Sequence, residues 1–217
     1  RDYDVERVIV TSTSEVYGTA QYVPINETHP LQAQSPYSAS KIGADKIAES
    51  FFRSFEMPVV IARPFNAYGP RQSARAIIPT IITQLLSGNE DIRLGSLHPT
   101  RDFNYVRDIC NGLILLSKFD EAIGKEVNIG SNTEISIGTL ADMLIKLLNA
   151  KVKIVTEDLR KRPDKSEVER LACDNSLIKE ITSWEPETLL KDGLLETIEW
   201  FNSEENMKRY KGDIYNI

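Results

Sequence analysis

Two short apolar runs on either side of a long amphipathic stretch constrain the fold of this chain more than any other feature. Residues 7–12 are Arg-Val-Ile-Val-Thr-Ser and residues 59–63 are Val-Val-Ile-Ala-Arg, which is typical of strands buried on both faces of a parallel sheet. Between them, Ser35 followed by Pro36 predicts the start of a helix that extends to about Met57. The order strand, helix, strand predicts a right-handed βαβ unit, with active groups gathered where its strands end.

The rest of the chain continues the alternation of helices and strands. The expected elements are helices at about 75–86, 104–117 and 136–149, strands at 126–129 and 152–155, and closing helices that contain Trp184 and Trp200. No repeat, low-complexity linker or clear domain boundary is visible, so we expect two interleaved lobes rather than two separate domains.

The charge balance and the cysteines argue against several classes of function. Lys and Arg total 26 against 32 Asp and Glu, a net charge of -6, so we expect no nucleic-acid partner and no membrane-surface role. The longest apolar runs fall far short of the roughly 20 residues that a spanning helix needs, and no signal peptide is recognisable. Cys110 and Cys173 lack metal-type spacing, so we predict two free thiols in a reducing cytoplasm and no metal site.

A phenol and an ammonium one helical turn apart are the first candidate for chemistry. Tyr37 and Lys41 are four residues apart, so in a helix they share a face. A positive charge beside a phenol, whose pKa is about 10 in a free tyrosine, favours the phenolate and makes the group usable as a base. The alternative is an ordinary helix pair with a half-buried phenol. The presence of Thr13 and Glu15 after the first strand favours a hydride-transfer site over this alternative.

The glycines do not support a complete dinucleotide-binding fold. Such a fold opens with a strand, a turn of the type G-x-G-x-x-G and a helix whose N-terminus holds the pyrophosphate. None of the 11 glycines is arranged in this way. Either the chain is not a dinucleotide enzyme, or the sequence as given lacks its N-terminal half. This leaves open a hypothesis of another class, a non-catalytic remnant that folds or binds a partner.

Six segments in the same order resemble the extended short-chain dehydrogenase/reductase superfamily. They are Thr13-Ser14-Glu15, the Tyr-x-x-x-Lys of residues 37–41, residues 63–71, residues 101–108, Asn128-Ile129-Gly130 and Arg162-Pro163. Within the superfamily the chain is most similar to nucleotide-sugar 4,6-dehydratases. Residues 11–18 are similar to N-acetylglucosamine-type dehydratases of legionaminic acid biosynthesis. The resemblance covers essentially the whole chain and corresponds to the C-terminal two-thirds of the family.

The resemblance also implies an architecture. We expect an α/β fold, with the C-terminal part of a doubly wound, Rossmann-type parallel sheet interleaved with a smaller α/β substrate-binding lobe. Residues 1–67 would form the C-terminal part of the NAD-binding domain, and residues 100–132 would return to it. Residues 68–99 and 133–217 would form the substrate-binding lobe.

By the same resemblance, a catalytic role falls on a small set of residues. Tyr37 would remove the proton of the sugar 4-hydroxyl, Thr13 would hydrogen-bond the same oxygen, and Lys41 would hold the nicotinamide ribose. Hydride would pass from C4 to NAD and return to C6, so that NAD ends as it began. Glu15 would remove the C5 proton as water leaves from C6. Ser12 is expected beside the cofactor as well.

The carboxylate of Glu15 separates a dehydratase from its nearest alternative, a nucleotide-sugar 4-epimerase. An epimerase has no use for a base at C5, whereas elimination requires one. We expect Thr13 and Glu15 to face one sugar because alternate residues of a strand share a face. Ser14 stands where many glucose-type dehydratases have an Asp that protonates the leaving hydroxyl, so Glu15 itself or an ordered water would supply that proton here.

The resemblance further implies residues that bind the substrate and the cofactor. Asn66, Arg101 and Arg162 would contact the diphosphate or the nucleotide ribose, a role that suits the bidentate guanidinium group. Pro64 and Phe65 would flank the nicotinamide. Two alternatives stay open, a structural ion pair for Arg101 with its neighbour Asp102 and a solvated charged loop for Arg162.

The remaining expectations concern assembly and the histidines. The substrate would be a UDP- or GDP-linked hexose, and N-acetylglucosamine is the expected sugar. Phe51, Phe52 and Phe55 would pack in the core or in the helix-pair interface of a homodimer. His29 and His98 fall in no matched motif, so we predict that they are surface or loop residues.

Overall fold

The computed structural model describes residues 3–161, 166–208 and 210 of an α/β protein. The strands are β1 (Val8–Thr11), β2 (Val59–Pro64), β3 (Ala67–Tyr68), β4 (Asp91–Leu94), β5 (Thr100–Arg101), β6 (Asn104–Tyr105), β7 (Glu126–Ile129), β8 (Ile135–Ser136) and β9 (Lys153–Thr156). The helices are α1 (Pro36–Phe55), α2 (Ile77–Leu86), α3 (Val106–Leu116), α4 (Ile137–Leu147), α5 (Ser176–Thr182), α6 (Leu190–Phe201) and α7 (Glu204–Met207).

A parallel sheet with the strand order β1-β2-β7 confirms the predicted strand, helix, strand unit. On one face, Ala48 of α1 packs with Val59 and Ile61 of β2. On the other face, Val60 and the buried residues of β7 pack with α3 and α5. Helices therefore cover both faces, as the apolar character of the strands requires.

Local capping fixes where the long helix α1 begins. Ser35 Oγ accepts a hydrogen bond from the Ser38 backbone N–H over 3.1 Å, and Ser38 Oγ accepts one from the Ser35 N–H over 3.1 Å. Pro36 then occupies the first helical position, which has no use for an N–H donor. The predicted start is confirmed, and it sets Tyr37 and Lys41 in the first two turns.

A second group of elements lies beside the main sheet. It contains the parallel pairs β3-β6 and β4-β9 and the antiparallel pair β5-β8. Its core is formed by the apolar faces of α2, α4 and α6, which bury Ile81, Leu140 and Leu194 completely. The strand pairs place the carboxyl ends of β2 and β4 and the start of α2 around one cleft.

The helix predicted around Trp184 ends before that residue, whereas both histidines lie in loops as predicted. Trp184 lies outside a helix because Ser183 adopts a left-handed φ of 59° and ends α5; the indole still packs in the core and donates to the Asp108 carbonyl over 3.0 Å. His29 lies in the loop that precedes α1, but it is only 3% exposed. Its Nε2 accepts from the Gln21 N–H over 2.9 Å, and its ring packs edge to face on Tyr17. His98 is exposed and pairs with Glu169.

No helix among residues 3–161, 166–208 and 210 combines the length and the apolar character needed to cross a bilayer.

Candidate active site

The segment that carries Thr13 and Glu15 turns sharply after β1 instead of continuing it. The strand ends at Thr11, and a 3₁₀ turn spans Ser14–Tyr17. Thr13 is extended, with φ of -162° and ψ of 152°, and its Oγ1 accepts the Glu15 N–H over 3.2 Å. The expectation that Thr13 and Glu15 alternate on a strand is therefore wrong, because the hydroxyl of Thr13 caps the turn and bends the chain.

The two serines of this segment are buried. Ser12 is 4% exposed and Ser14 is 2% exposed. The Ser12 backbone N–H donates to the Ala62 carbonyl over 2.7 Å, which continues the β1-β2 pairing by one residue. Its Oγ is buried and has no hydrogen-bond partner within the described part of the chain. A buried hydroxyl without a partner costs free energy, so the end of β1 is suited to a polar ligand.

Helix α1 brings Tyr37 and Lys41 to the same strand end. Lys41 Nζ donates to the carbonyl oxygen of Thr11 over 3.1 Å. The same ammonium nitrogen lies 5.9 Å from the centroid of the Tyr37 ring, which confirms that the two side chains share a helix face. Tyr37 is 50% exposed, so its phenol is accessible from solvent. An ammonium has three donors, and Lys41 can therefore bind a second acceptor.

A cleft of about 370 Å³ contains three of the residues singled out in the sequence, Glu15, Asn66 and Arg101. The side-chain oxygen Oδ1 of Asn66 is buried and lacks a hydrogen-bond partner in the described residues. In the part of the chain that the structure describes, the residues that line this cleft do not include Tyr37 or Lys41. They are joined to it through the short segment between the end of β1 and Glu15.

Arg101 is held in place on the wall of the cleft. Its Nη2 donates to Glu167 Oε1 over 3.2 Å and its Nη1 donates to the Thr100 carbonyl over 2.9 Å. The side chain is 11% exposed, and both it and Glu167 line the cleft. Arg101 thus forms a structural ion pair with Glu167 on the wall of the cleft. Arg162 lies outside the described residues.

The neighbouring Asp102 has a structural task of its own. It is fully buried, and its carboxylate accepts hydrogen bonds from the backbone N–H groups of Ser131, Asn132 and Cys173 over 3.0 to 3.1 Å. Burial raises the pKa of Asp102, and the hydrogen bonds oppose that shift. The carboxylate therefore joins the loop after β7 to the segment around Cys173, and so supports the wall that carries Arg101.

Sequence reasoning missed three further arginines of the cleft, Arg75, Arg93 and Arg160. Arg93 Nη1 lies 3.2 Å from Glu157 Oε1, and Arg160 Nε lies 2.8 Å from Glu157 Oε2. The alternation of exposed and buried residues in β4 could have placed Arg93 outside the core. The approach of β4 and β9 to this cleft could not be derived from local patterns. Four arginines and two carboxylates, Glu15 and Glu167, line the cleft. Its lining therefore carries a net positive charge in a protein of net charge -6, which favours an anionic ligand.

The two residues expected beside a nicotinamide differ in exposure. Pro64 ends β2 and is partly buried. Phe65 is 1% exposed and packs with Val16 and Tyr17, and its ring centroid lies 6.5 Å from that of Tyr17. The Phe65 ring therefore contributes to the core beneath the Glu15 turn.

A parallel sheet covered by helices on both faces, with polar groups gathered where its strands end, defines a Rossmann-type α/β protein. The family model described as GDP-mannose 4,6 dehydratase matches residues 1–197. The chain therefore belongs to this family of nucleotide-sugar dehydratases and epimerases in the extended short-chain dehydrogenase/reductase superfamily, as the sequence predicted.

Individual relatives are named as dehydratases and as epimerases. The chain is 33% identical to a dTDP-glucose 4,6-dehydratase of Actinoplanes sp., over 93% of this chain and 62% of the relative. It is 30% identical to a putative UDP-glucose 4-epimerase of Methanocaldococcus jannaschii, over 94% and 65% respectively. The crystal structure of dTDP-glucose 4,6-dehydratase from Bacillus anthracis in complex with NAD is similar with a TM-score of 0.81 and 30% identity, over 92% of this chain and 62% of that one. The chain thus spans less than two thirds of the length of the relatives that it matches.

Proposed function

We propose that this chain carries the catalytic groups of an NAD-dependent nucleotide-sugar 4,6-dehydratase. The substrate would be a UDP- or GDP-linked hexose, and N-acetylglucosamine is the sugar that the resemblance of residues 11–18 favours. The product would be the 4-keto-6-deoxy sugar nucleotide. The enzyme would be a lyase that eliminates water across C5 and C6, with no net oxidation of the sugar nucleotide.

One observation carries the proposal. Glu15 lines the cleft that also contains Asn66 and Arg101, and the chain reaches Glu15 only four residues after Thr11, whose carbonyl binds Lys41. A carboxylate base and a tyrosine-lysine pair therefore belong to one strand end. Elimination needs this carboxylate, and simple inversion at C4 does not.

The chemistry assigns each group a proton or a hydrogen bond. Tyr37, with Lys41 beside it, would take the proton of the sugar 4-hydroxyl, and Thr13 would hydrogen-bond that oxygen. Glu15 would take the C5 proton while the hydroxyl leaves C6 as water. Glu15 or an ordered water would deliver the proton to that hydroxyl, and Ser14 would line the same segment.

Two observations support NAD as the cofactor. Ser12 Oγ is buried without a partner among the described residues, and Lys41 has donors beyond the one that binds Thr11. Ser12, Thr13, Tyr37, Lys41, Pro64 and Phe65 would contact the cofactor, Lys41 through the nicotinamide ribose. When bound, NAD would supply a transient oxidation at C4 by accepting a hydride that is later returned to C6.

The arginine-rich cleft supports a nucleotide-sugar substrate. Arg101 lines the cleft and is held by Glu167, and a guanidinium group binds phosphate oxygens bidentately. Asn66 Oδ1, which is buried without a hydrogen-bond partner among the described residues, would accept a donor such as a ribose hydroxyl. Arg162 would be a further diphosphate contact.

The experiment that tests the proposal compares elimination with inversion. UDP- and GDP-N-acetylglucosamine are incubated with the holoenzyme and NAD, and the 4-keto-6-deoxy product is detected by its absorbance in alkali. The matched variant is Glu15→Gln, which keeps the shape and removes the base. We expect it to lose elimination and the exchange of the C5 hydrogen with solvent deuterium. Inversion at C4 without elimination by the parent enzyme would overturn the proposal.

A 4-epimerase is the second candidate, and the Methanocaldococcus jannaschii relative favours it. An epimerase would keep its full rate in Glu15→Gln, because no step of inversion uses a base at C5. The same variant therefore separates the two activities.

We also propose a two-lobed organisation and a homodimer. The NAD-binding part would comprise residues 1–67 and 100–132, and the substrate-binding lobe residues 68–99 and 133–217. Ile47, Phe51 and Phe55 repeat every four residues on α1 and are 63%, 39% and 46% exposed, a stripe that suits a helix-pair interface. An Ile47→Lys variant should then elute as a monomer. A cytoplasmic role in surface-glycan assembly, of the legionaminic acid type, would follow from the same resemblance.

A further inference from the structure

Arg63 is a fully buried arginine that joins four structural elements. It is 0% exposed and lies near the end of β2. Its Nε and Nη2 donate to Asp45 Oδ2 over 3.2 and 3.0 Å, and its Nη1 donates to Tyr17 Oη over 3.1 Å. Nη2 also lies 3.0 Å from Glu126 Oε1 of β7.

The partners of Arg63 follow the candidate catalytic groups closely along the chain. Asp45 lies on α1 four residues after Lys41 and eight after Tyr37, so these three residues share one face of the helix. Tyr17 lies in the 3₁₀ turn two residues after Glu15. One guanidinium group therefore binds both the helix that carries the tyrosine-lysine pair and the turn that carries the carboxylate.

The hydrogen-bond network continues beyond Tyr17 to β7. Tyr17 Oη donates to Asn128 Oδ1 over 2.7 Å, and the Asn128 Nδ2 donates to the Ile25 carbonyl over 3.1 Å. The Arg63 guanidinium carbon lies 5.2 Å from the centroid of the Tyr17 ring. The Tyr17 phenol thus has both a donor on β2 and an acceptor on β7, which tie the turn that contains it to these two strands.

The energetics of this network favour a role other than stability alone. Apolar residues of similar volume can replace a buried ion pair with little loss, or even a gain, in stability. Here Asp45 Oδ1 is buried and has no hydrogen-bond partner in the part of the chain that the structure describes, so the arrangement carries an additional cost. Its geometry is directional, because the guanidinium fork fixes Asp45 and Tyr17 at defined angles.

We infer that Arg63 is a positioning residue, which through Asp45 and Tyr17 holds the Glu15 turn in register with the Tyr37–Lys41 face of α1. The inference rests on the proposed function for the roles of those groups. It adds that the distance between the base at C5 and the base at the 4-hydroxyl is set by a buried ionic contact that touches neither substrate nor cofactor.

A first test measures the coupling without substrate or cofactor. Asp45→Asn removes the charge that Arg63 binds on α1, and amide hydrogen exchange is followed by mass spectrometry in a peptide that covers residues 12–18. We expect exchange in this peptide to rise at least threefold, although Asp45 belongs to another element. The control is Tyr68→Phe, which removes the hydrogen bond from a second buried tyrosine to the Leu190 carbonyl. Unchanged exchange in Asp45→Asn would overturn the inference.

A second test separates positioning from stability in the holoenzyme. Tyr17→Phe keeps the ring and removes the hydroxyl that Arg63 and Asn128 bind. We expect kcat for dehydration to fall about tenfold or more with KM within twofold, while Tyr68→Phe keeps kcat within twofold at a similar loss of Tm. Equal kcat values for the two variants would show that the network is only structural.

The outcome for the proposed function is read separately, from the parent enzyme. If the parent inverts the sugar without eliminating water, the dehydratase proposal fails. The hydrogen-exchange comparison and the ratio of inversion rates in Tyr17→Phe and Tyr68→Phe then still decide whether Arg63 positions the site.

Discussion

Thr13 Oγ1 accepts the backbone N–H of Glu15 over 3.2 Å, so the side chain expected to touch the sugar also shapes the turn that carries the carboxylate. A hydroxyl has two acceptor lone pairs and one donor. Thr13 can therefore cap the turn and still donate to a substrate oxygen. Capping of the turn and hydrogen bonding to the substrate both use Thr13 Oγ1, so a substitution at position 13 tests both roles.

Replacing Thr13 should distinguish the hydroxyl from the β-branched shape. Thr13→Val keeps the shape, loses the cap, and should lower the free energy of unfolding by about 1 kcal/mol, the usual cost of a lost cap. We expect its turnover to fall at least tenfold, whereas Thr13→Ser should keep most of the activity. Thermal unfolding and product formation are the measurements. Equal activity of the Val and Ser variants would contradict a role for the hydroxyl.

Tyr37→Phe should leave NAD bound and stop the first oxidation. The phenol is half exposed, and no hydrogen bond of its hydroxyl supports the fold among the described residues, so its loss should barely change Tm. Retained cofactor is measured after gel filtration, and turnover by product absorbance. Turnover near that of the parent would mean that another group acts as the base.

Arg101→Gln should weaken the binding of UDP or GDP. A hydrogen bond to a charged group contributes about 1.5 to 3 kcal/mol, which corresponds to a Kd roughly 10 to 150 times higher. Isothermal titration calorimetry measures the change. The control is Arg107→Gln, since Arg107 is exposed and pairs with Glu196 outside the cleft. If both variants bind as the parent does, Arg101 has a structural role and no role in binding the nucleotide.

Glu27→Gln should stabilise the protein at neutral pH. Burial raises the pKa of Glu27 above its usual 4.5, against the opposing hydrogen bond from the Asn128 N–H to Glu27 Oε1. A carboxyl whose pKa is raised by folding contributes stability at low pH and loses it as the pH rises through the folded-state pKa. The amide keeps the acceptor and has no charge to bury. Tm should therefore rise at pH 7 to 8, and the difference from the parent should shrink toward pH 4.

The sequence predicted those parts of the fold that depend on local patterns. The start of α1 followed from Ser35 and Pro36, and the parallel strands β1, β2 and β7 followed from their apolar, β-branched residues. The turn at Glu15 was not predicted. The residue pattern alone does not show whether the strand continues through Thr13 or ends at Thr11 and is followed by a turn that Thr13 caps.

The candidate site divides in the same way. The spacing of Tyr37 and Lys41 is a local property and could be interpreted directly. Arg75, Arg93 and Arg160 meet only because β4, β9 and α2 pack around one cleft, and the burial of His29 depends on contacts with Tyr17. Such long-range packing leaves no signature within a short window of sequence.

The acceptor that holds Lys41 is a peptide carbonyl, that of Thr11, rather than a side chain. Every amino acid presents the same main-chain oxygen, so mutation at position 11 can alter neighbouring packing without deleting this anchor. The hydrogen bond that positions Lys41 is therefore retained when the side chain at position 11 is substituted.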